Sequence, residues 1–174
     1  MTRYNVALIG FMGCGKTSAG RIAAAALGWR FVDIDEYIQL QSGQTIAYIF
    51  HRYGEEYFRV QERGALEYAC GLRRAIISTG GGAVKSEENA ALLRSAALVL
   101  YLEASAEHIY ANTIGDDTRP LLTEGGRMET IRALLAERAP LYARCAHRVI
   151  SCGGSTLEHI AGEIVKCAEL LANG

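Results

Sequence analysis

Residues 4–17 read Tyr-Asn-Val-Ala-Leu-Ile-Gly-Phe-Met-Gly-Cys-Gly-Lys-Thr. A short apolar run, Tyr4 to Ile9, is followed by Gly10-Phe11-Met12-Gly13-Cys14-Gly15-Lys16-Thr17, which fits the pattern GxxxxGK[ST]. The spacing predicts a buried strand, a glycine-rich turn and a helix running to about Leu27. Such a turn wraps its backbone N–H groups around phosphate oxygens, and the helix that follows adds its partial positive charge. Lys16 is placed to reach the β- and γ-phosphates, and the Thr17 hydroxyl to bind Mg²⁺. Gly13, Cys14, Gly15, Lys16, Thr17 and Ser18 are therefore the candidate nucleotide contacts. The Cys14 side chain is not demanded by that chemistry.

Outward from this loop, apolar runs alternate with helical patterns. Phe31-Val32-Asp33, Ala75–Thr79, Ala97–Leu102 and Arg148–Ser151 read as further strands. Residues 34–70 read as helical, interrupted near Ser42-Gly43 and Tyr53-Gly54, with Thr45 placed to cap the middle piece. Ser86 opens a helix to Arg94, and Ser155-x-x-Glu158 reads as a capping box for a last helix whose stripe is Ile160, Ile164, Cys167 and Leu171. Continuous apolar strands between helices specify an α/β fold, a parallel sheet covered on both faces. The helical segment after Asp35 and the polar stretch from Asn112 to Gly126 fit that core poorly. They are the expected places for a substrate pocket and a lid.

Composition narrows the partners. The chain has 174 residues, half of them hydrophobic, which suits one compact domain. A formal net charge of −1 argues against a nucleic-acid or membrane-surface binder. No apolar run is long enough to span a bilayer, and Met1-Thr2-Arg3-Tyr4 lacks the form of a signal peptide. Cys14, Cys70, Cys145, Cys152 and Cys167 form an odd set without a CxxC pair, so reduced thiols in a cytoplasm are expected. Cys145, His147 and Cys152 lack a fourth ligand at zinc-like spacing and read as ordinary structural residues.

A phosphate-binding loop alone leaves the reaction open. The chain carries no NKxD motif of a GTPase and is too short for a large ATPase motor, which leaves a kinase for a small acceptor. Asp33-Ile34-Asp35 closes the second strand at the edge where open α/β sheets bind their ligands. Two carboxylates there can divide the work, one facing the Mg²⁺ shell and one accepting a proton from the attacking hydroxyl. Capping of the next helix is the alternative for Asp35. Gly80-Gly81-Gly82, after the third apolar run, suits close approach by a ligand or is a plain loop.

Gly54-Glu55-x-x-Phe58-Arg59-x-x-Glu62, Arg119-Pro120-Leu121-Leu122 and Glu137-Arg138-x-Pro140-Leu141-Tyr142 complete the set. With GxxGxGKT, DxD and TGGG in this order and spacing, the chain resembles the shikimate kinase family over about residues 5–147. The resemblance implies a three-layer α/β/α P-loop NTPase fold like that of nucleoside monophosphate kinases, with a central five-stranded parallel sheet. The core would comprise about 1–33, 71–111 and 127–174, with a substrate-binding segment at 34–70 and a lid at 112–126. It implies ATP-dependent phosphorylation of the 3-hydroxyl of shikimate with Mg²⁺ as cofactor, and a monomer working on small molecules.

Residue by residue, the resemblance gives catalytic roles to Lys16, Asp35 and Arg119. Thr17 would ligate Mg²⁺, with Asp33 in its outer shell. Asp35 would contact the acceptor hydroxyl, and Arg59 and Arg138 its carboxylate, with Gly80, Gly81 and Gly82 lining the pocket. Glu62 would orient Arg59, and Arg119 would reach the nucleotide phosphates from the lid. An anionic acceptor needs such a cationic clamp, because a guanidinium fork pairs bidentately with a carboxylate. Two positions depart from the family. Asn112 stands where a second lid arginine is common, and Ser151-Cys152-Gly153-Gly154-Ser155 lacks a proline common in the adenine loop. A gluconate kinase, sharing the P-loop and the size, is the rival reading.

Overall fold

A computed structural model of the chain describes residues 5–114 and 126–172. Its elements in chain order are β1 (Asn5–Ile9), α1 (Lys16–Leu27), β2 (Arg30–Asp33), α2 (Ile34–Ser42), α3 (Ile46–Cys70) and β3 (Ala75–Ser78). After a 3-10 turn at Ala83–Lys85 come α4 (Glu87–Ala96), β4 (Ala97–Glu103), α5 (Ala106–Thr113), α6 (Arg127–Cys145), β5 (Arg148–Ser151) and α7 (Leu157–Ala172). The five strands form one sheet in the order β2-β3-β1-β4-β5, all pairs parallel.

β1 is central because both of its faces are apolar. Val6, Ala7, Leu8 and Ile9 have no exposed surface. Burial on both sides is what a continuous apolar run provides and an alternating one does not. Ala19, Ala23 and Ala24 of α1 are likewise buried, and small side chains let that helix approach the sheet closely. Gly20 carries this furthest, since a Cβ there would lie 2.8 Å from Phe31 Cε2 and 2.9 Å from Leu8 Cδ1. α7 packs on α1, and its Ile160, Ala161, Ile164 and Ala168 are buried.

The expected interruptions in the helical segment occur where glycine permits them. Gly43 ends α2 at φ 66°, and Gly54 breaks α3 at φ 82° and ψ 173°. Side chains with a Cβ seldom adopt such positive φ values. Thr45 caps α3 by accepting from Tyr48 N, and Ser86 caps α4 by accepting from Asn89 N. The capping box at Ser155 is not formed. Thr156 Oγ1 instead accepts from His159 N at 3.2 Å, so α7 begins one residue later than the Ser155–Glu158 spacing predicts. Ser155 is drawn back into the turn after β5, its N–H donating to Cys152 O at 3.3 Å.

The polar stretch also starts differently. α5 runs through Thr113, so Asn112 belongs to a helix and not to a loop. The remainder of the expected lid, with Arg119, lies outside the described residues. Cys145 and His147 serve the backbone: Cys145 Sγ donates weakly to Ala90 O, and His147 Nδ1 accepts from Val99 N at 2.9 Å. All five cysteines are free thiols, four of them buried. No helix among the described residues is long and apolar enough to cross a membrane.

Candidate active site

β1 ends in the phosphate loop, and the loop's shape depends on three glycines with positive φ: Gly10 at 143°, Gly13 at 76° and Gly15 at 96°. A Cβ on Gly10 would also stand 2.6 Å from the Leu102 carbonyl oxygen, so space as well as backbone conformation demands glycine there. Lys16 is buried, and its Nζ donates to Gly10 O at 2.8 Å and Phe11 O at 2.9 Å. The ammonium therefore sits inside the curl of the loop, its charge satisfied by the loop's own carbonyls. Cys14 is buried with Sγ 3.7 Å from that ammonium.

Below the loop, Thr17 Oγ1 donates to Asp33 Oδ2 at 2.6 Å and lies 3.3 Å from Ser78 Oγ. Asp33 also caps α2, its Oδ1 accepting from Asp35 N at 3.1 Å and Glu36 N at 3.2 Å. The helix cap is thus Asp33, which leaves the Asp35 carboxylate to the cleft. Hydroxyl and carboxylate oxygens at the foot of a phosphate loop are the hard donors that Mg²⁺ prefers. The described residues contain no cluster of three or more His, Cys, Asp or Glu that would cage a metal.

The triple-glycine turn gathers the rest. A Cβ on Gly80 would stand 3.1 Å from Glu62 Oε1 and 3.3 Å from Asp35 Oδ1. On Gly81 it would lie 3.8 Å from Arg138 Nη1, and on Gly82 it would fall 2.8 Å from Arg59 Nη2. Three missing side chains thus make room for two carboxylates and two guanidiniums around one turn. Tyr142 secures it from α6, its hydroxyl donating to Gly81 O. Burial pushes the Tyr142 phenol well above its usual range, so it stays protonated and able to donate.

Arg59 and Arg138 differ in how they are held. Arg59 Nη1 donates to Glu62 Oε2 at 2.8 Å, while its Nε and Nη2 donate to Glu55 Oε1 at 3.2 and 2.8 Å. Burial works against its charge, but Glu62 and Glu55 outweigh that and hold the guanidinium more basic than usual. Burial pushes the Glu62 carboxyl up, Arg59 pulls it back only in part, and Asp35 adds to the rise. Arg138 is buried, with its Cζ 5.6 Å from the centroid of the Phe11 ring. Its Nε has no hydrogen-bond partner among the described residues, and neither has Glu62 Oε1. A buried guanidinium short of an acceptor is a place for an anion to bind.

The phosphate loop, Asp33, Asp35, Gly80 and Gly81 are among the walls of one cleft of about 610 Å³, whereas Arg59, Glu62 and Arg138 stand behind the glycine turn and do not line it. Its far side is made by His108 and Asn112 of α5 and by Ser155, Thr156, Leu157 and Ile160. Asn112 and Ser155 fall where the sequence places the lid and the adenine loop, whereas His108, Thr156, Leu157 and Ile160 are not legible as part of a site. Ile160 reads as core because it falls on an apolar stripe, and His108 stands in no motif. Asn112 Nδ2 donates to Gly13 O at 2.9 Å, which ties the end of α5 to the phosphate loop.

Comparison with known proteins follows the same lines. The sequence profile of the shikimate kinase family matches residues 12–169. The shikimate kinase of Thermodesulfovibrio yellowstonii is 40% identical over 170 residues, 98% of this chain and 98% of its own length. That of Geobacter sulfurreducens is 42% identical over 160 residues, 92% of this chain and 88% of its own. Among solved structures, shikimate kinase from Acinetobacter baumannii in complex with shikimate superposes with a TM-score of 0.92 at 35% identity, covering 99% of this chain and 95% of that one.

Proposed function

The chain belongs to the shikimate kinase family, and from that premise we propose that it transfers the γ-phosphoryl of ATP to the 3-hydroxyl of shikimate, giving shikimate 3-phosphate and ADP for aromatic amino-acid biosynthesis. The observation that carries the acceptor assignment is the turn at Gly80–Gly82, around which Asp35, Glu62, Arg59 and Arg138 gather, while Gly80, Gly81 and Asp35 share a cleft with Lys16. Two guanidiniums backed by one buried glutamate form a seat for a carboxylate, and Asp35 beside them is placed for a hydroxyl.

In this reading the phosphate loop takes the triphosphate on its N–H groups and the N-terminus of α1. Lys16 exchanges its loop carbonyls for phosphate oxygens, a charged acceptor in place of neutral ones. Thr17 would ligate Mg²⁺, with Asp33 in its outer shell, and the ion would neutralise charge on the phosphate oxygens. Arg59 and Arg138 fix the acceptor by its carboxylate and so turn a bimolecular encounter into an aligned one. Asp35 accepts the proton of the attacking hydroxyl. A loose transition state asks little of that base. Arg119 reaches the phosphates from the segment at 112–126, which acts as the lid over the core, and 34–70 forms the acceptor-binding segment. We further infer a monomer acting in the cytoplasm on small molecules, consistent with the net charge of −1.

The test is a coupled ADP-release assay with shikimate, quinate and gluconate side by side. Turnover is expected with shikimate and is expected to vanish without Mg²⁺. Strong turnover with gluconate and none with shikimate would overturn the reading in favour of the rival.

A further inference from the structure

Two carboxylates serve one guanidinium in the segment Gly54–Glu62, and they lie at different depths. Glu62 is fully buried beneath Arg59, whereas Glu55 is 57% exposed and Arg59 itself 29%. Glu62 accepts from Nη1 alone. Glu55 takes the Nε–Nη2 edge, with both donors converging on its single atom Oε1 at 3.2 and 2.8 Å. That edge is one of the parallel donor pairs on a guanidinium that match the two oxygens of a carboxylate. It is the exposed rim of the guanidinium, whereas the contact with Glu62 is partly buried.

The two contacts also differ in permanence. Separating Arg59 from Glu62 would leave a buried charge without its counter-ion, which is strongly unfavourable. Separating Arg59 from Glu55 breaks a pair between partly exposed side chains, which contributes little to stability. Glu55 is moreover the first residue after the break at Gly54, so it stands at a helix start. Arg59 holds its carboxyl below the usual range, with Lys85 and Arg138 adding to that at longer range.

We infer that Glu55 is a resident carboxylate in the acceptor clamp, which holds the rim edge of Arg59 while the site is empty and is replaced there by the carboxylate of the acceptor. The inference rests on the acceptor proposed above and adds how the clamp selects it. Binding is an exchange of one carboxylate for another on the same donors. An acceptor of the same shape without a negative charge has nothing to offer in that exchange, so Glu55 lowers the affinity of carboxylate ligands alone.

The experiment is isothermal titration of shikimate and of its methyl ester into the whole protein and into Glu55→Gln, with Glu55→Ala as a second variant that removes the side chain. Loss of an exposed competitor is expected to tighten shikimate about two- to fivefold in both variants, with the ester unmoved. The KM for shikimate is expected to fall in proportion. Weaker binding of shikimate to either variant would overturn the exchange and make Glu55 a positioning residue for Arg59. Equal shifts for acid and ester, or no shift in either, would overturn it as well. If the unaltered protein neither binds shikimate nor turns over ATP with it, the acceptor assignment fails first, and the exchange with it.

Discussion

Glu62 has one carboxylate oxygen on Arg59 and the other without a hydrogen-bond partner among the described residues, in a position with no exposed surface. Burial raises its pKa, so the folded chain holds this proton more tightly than the unfolded chain does. Between the ordinary carboxylate value of about 4.3 and the raised one, the native state therefore binds more protons, and stability falls as pH rises through that window. Glu62→Gln removes the titration and keeps the shape. Urea denaturation of both proteins between pH 4 and pH 8 is expected to show the variant gaining on the parent as pH rises, with the difference level above the window. A difference independent of pH would exclude the coupling. How such residues could be read from sequence alone varied with their chemistry. Gly13, Lys16 and Thr17 were legible because the spacing of the loop is itself the chemistry. Arg59 and Arg138 were assigned only by resemblance, since nothing local says that two distant arginines meet at one glycine turn. Glu55 stood in a quoted motif, yet its contact with the Nε–Nη2 edge depends on the break at Gly54 and the rotamer of Arg59, which no pattern encodes.

At the level of elements, glycines inside helices separate two physical effects. Gly20 in α1 faces the sheet, where a Cβ would meet Leu8 at 2.9 Å and Phe31 at 2.8 Å. Gly64 in α3 is exposed, and a Cβ there would meet nothing within 4 Å. Alanine is favoured over glycine in a helix interior by about 0.5–1 kcal/mol. Overpacking a close contact costs about 1–3 kcal/mol. Chemical denaturation is therefore expected to show Gly64→Ala stabilising by about 0.5–1 kcal/mol and Gly20→Ala destabilising by about 1–2 kcal/mol. Stabilisation by both would mean that α1 can lift from the sheet without loss. Apolar runs gave away β1, β3 and β4, and hydroxyl residues before helical patterns gave away the caps at Thr45 and Ser86. The start of α7 was misread because Ser155 and Thr156 are both competent caps. The turn through Cys152 and Gly154 decides between them, and it has no local signature. α6 went unread as a helix for a related reason. Its buried positions are Ile131, Arg138, Tyr142 and Cys145, a stripe with an arginine in the middle, and Pro140 interrupts its backbone donors.

For the molecule as a whole, a clamp of buried charge and a phosphate loop closed on its own lysine both gain partners when ligands arrive. Anything that binds the folded state alone stabilises it, by about 2.7 kcal/mol at a hundred times Kd. For a chain of this size that corresponds to a rise in Tm of about 5–10 °C. Thermal melts are expected to show such a rise with shikimate alone and with a nucleotide plus Mg²⁺. A rise with nucleotide and none with shikimate at millimolar concentration would leave the acceptor side without its ligand. The sheet order adds a different consequence. β2 and β3 lie on one flank of β1, and β4 and β5 on the other. Asp35, Arg59 and the triple-glycine turn belong to the first flank. Arg138 and the hydroxyl that fixes Gly81 come from α6, which the chain reaches only after β4. A chimera that transplanted residues 34–85 into a relative with another acceptor would therefore import one arginine and strand the other. Its host would hold half a binding site beneath an untethered turn, and redesign of the acceptor would have to move both stretches of chain together.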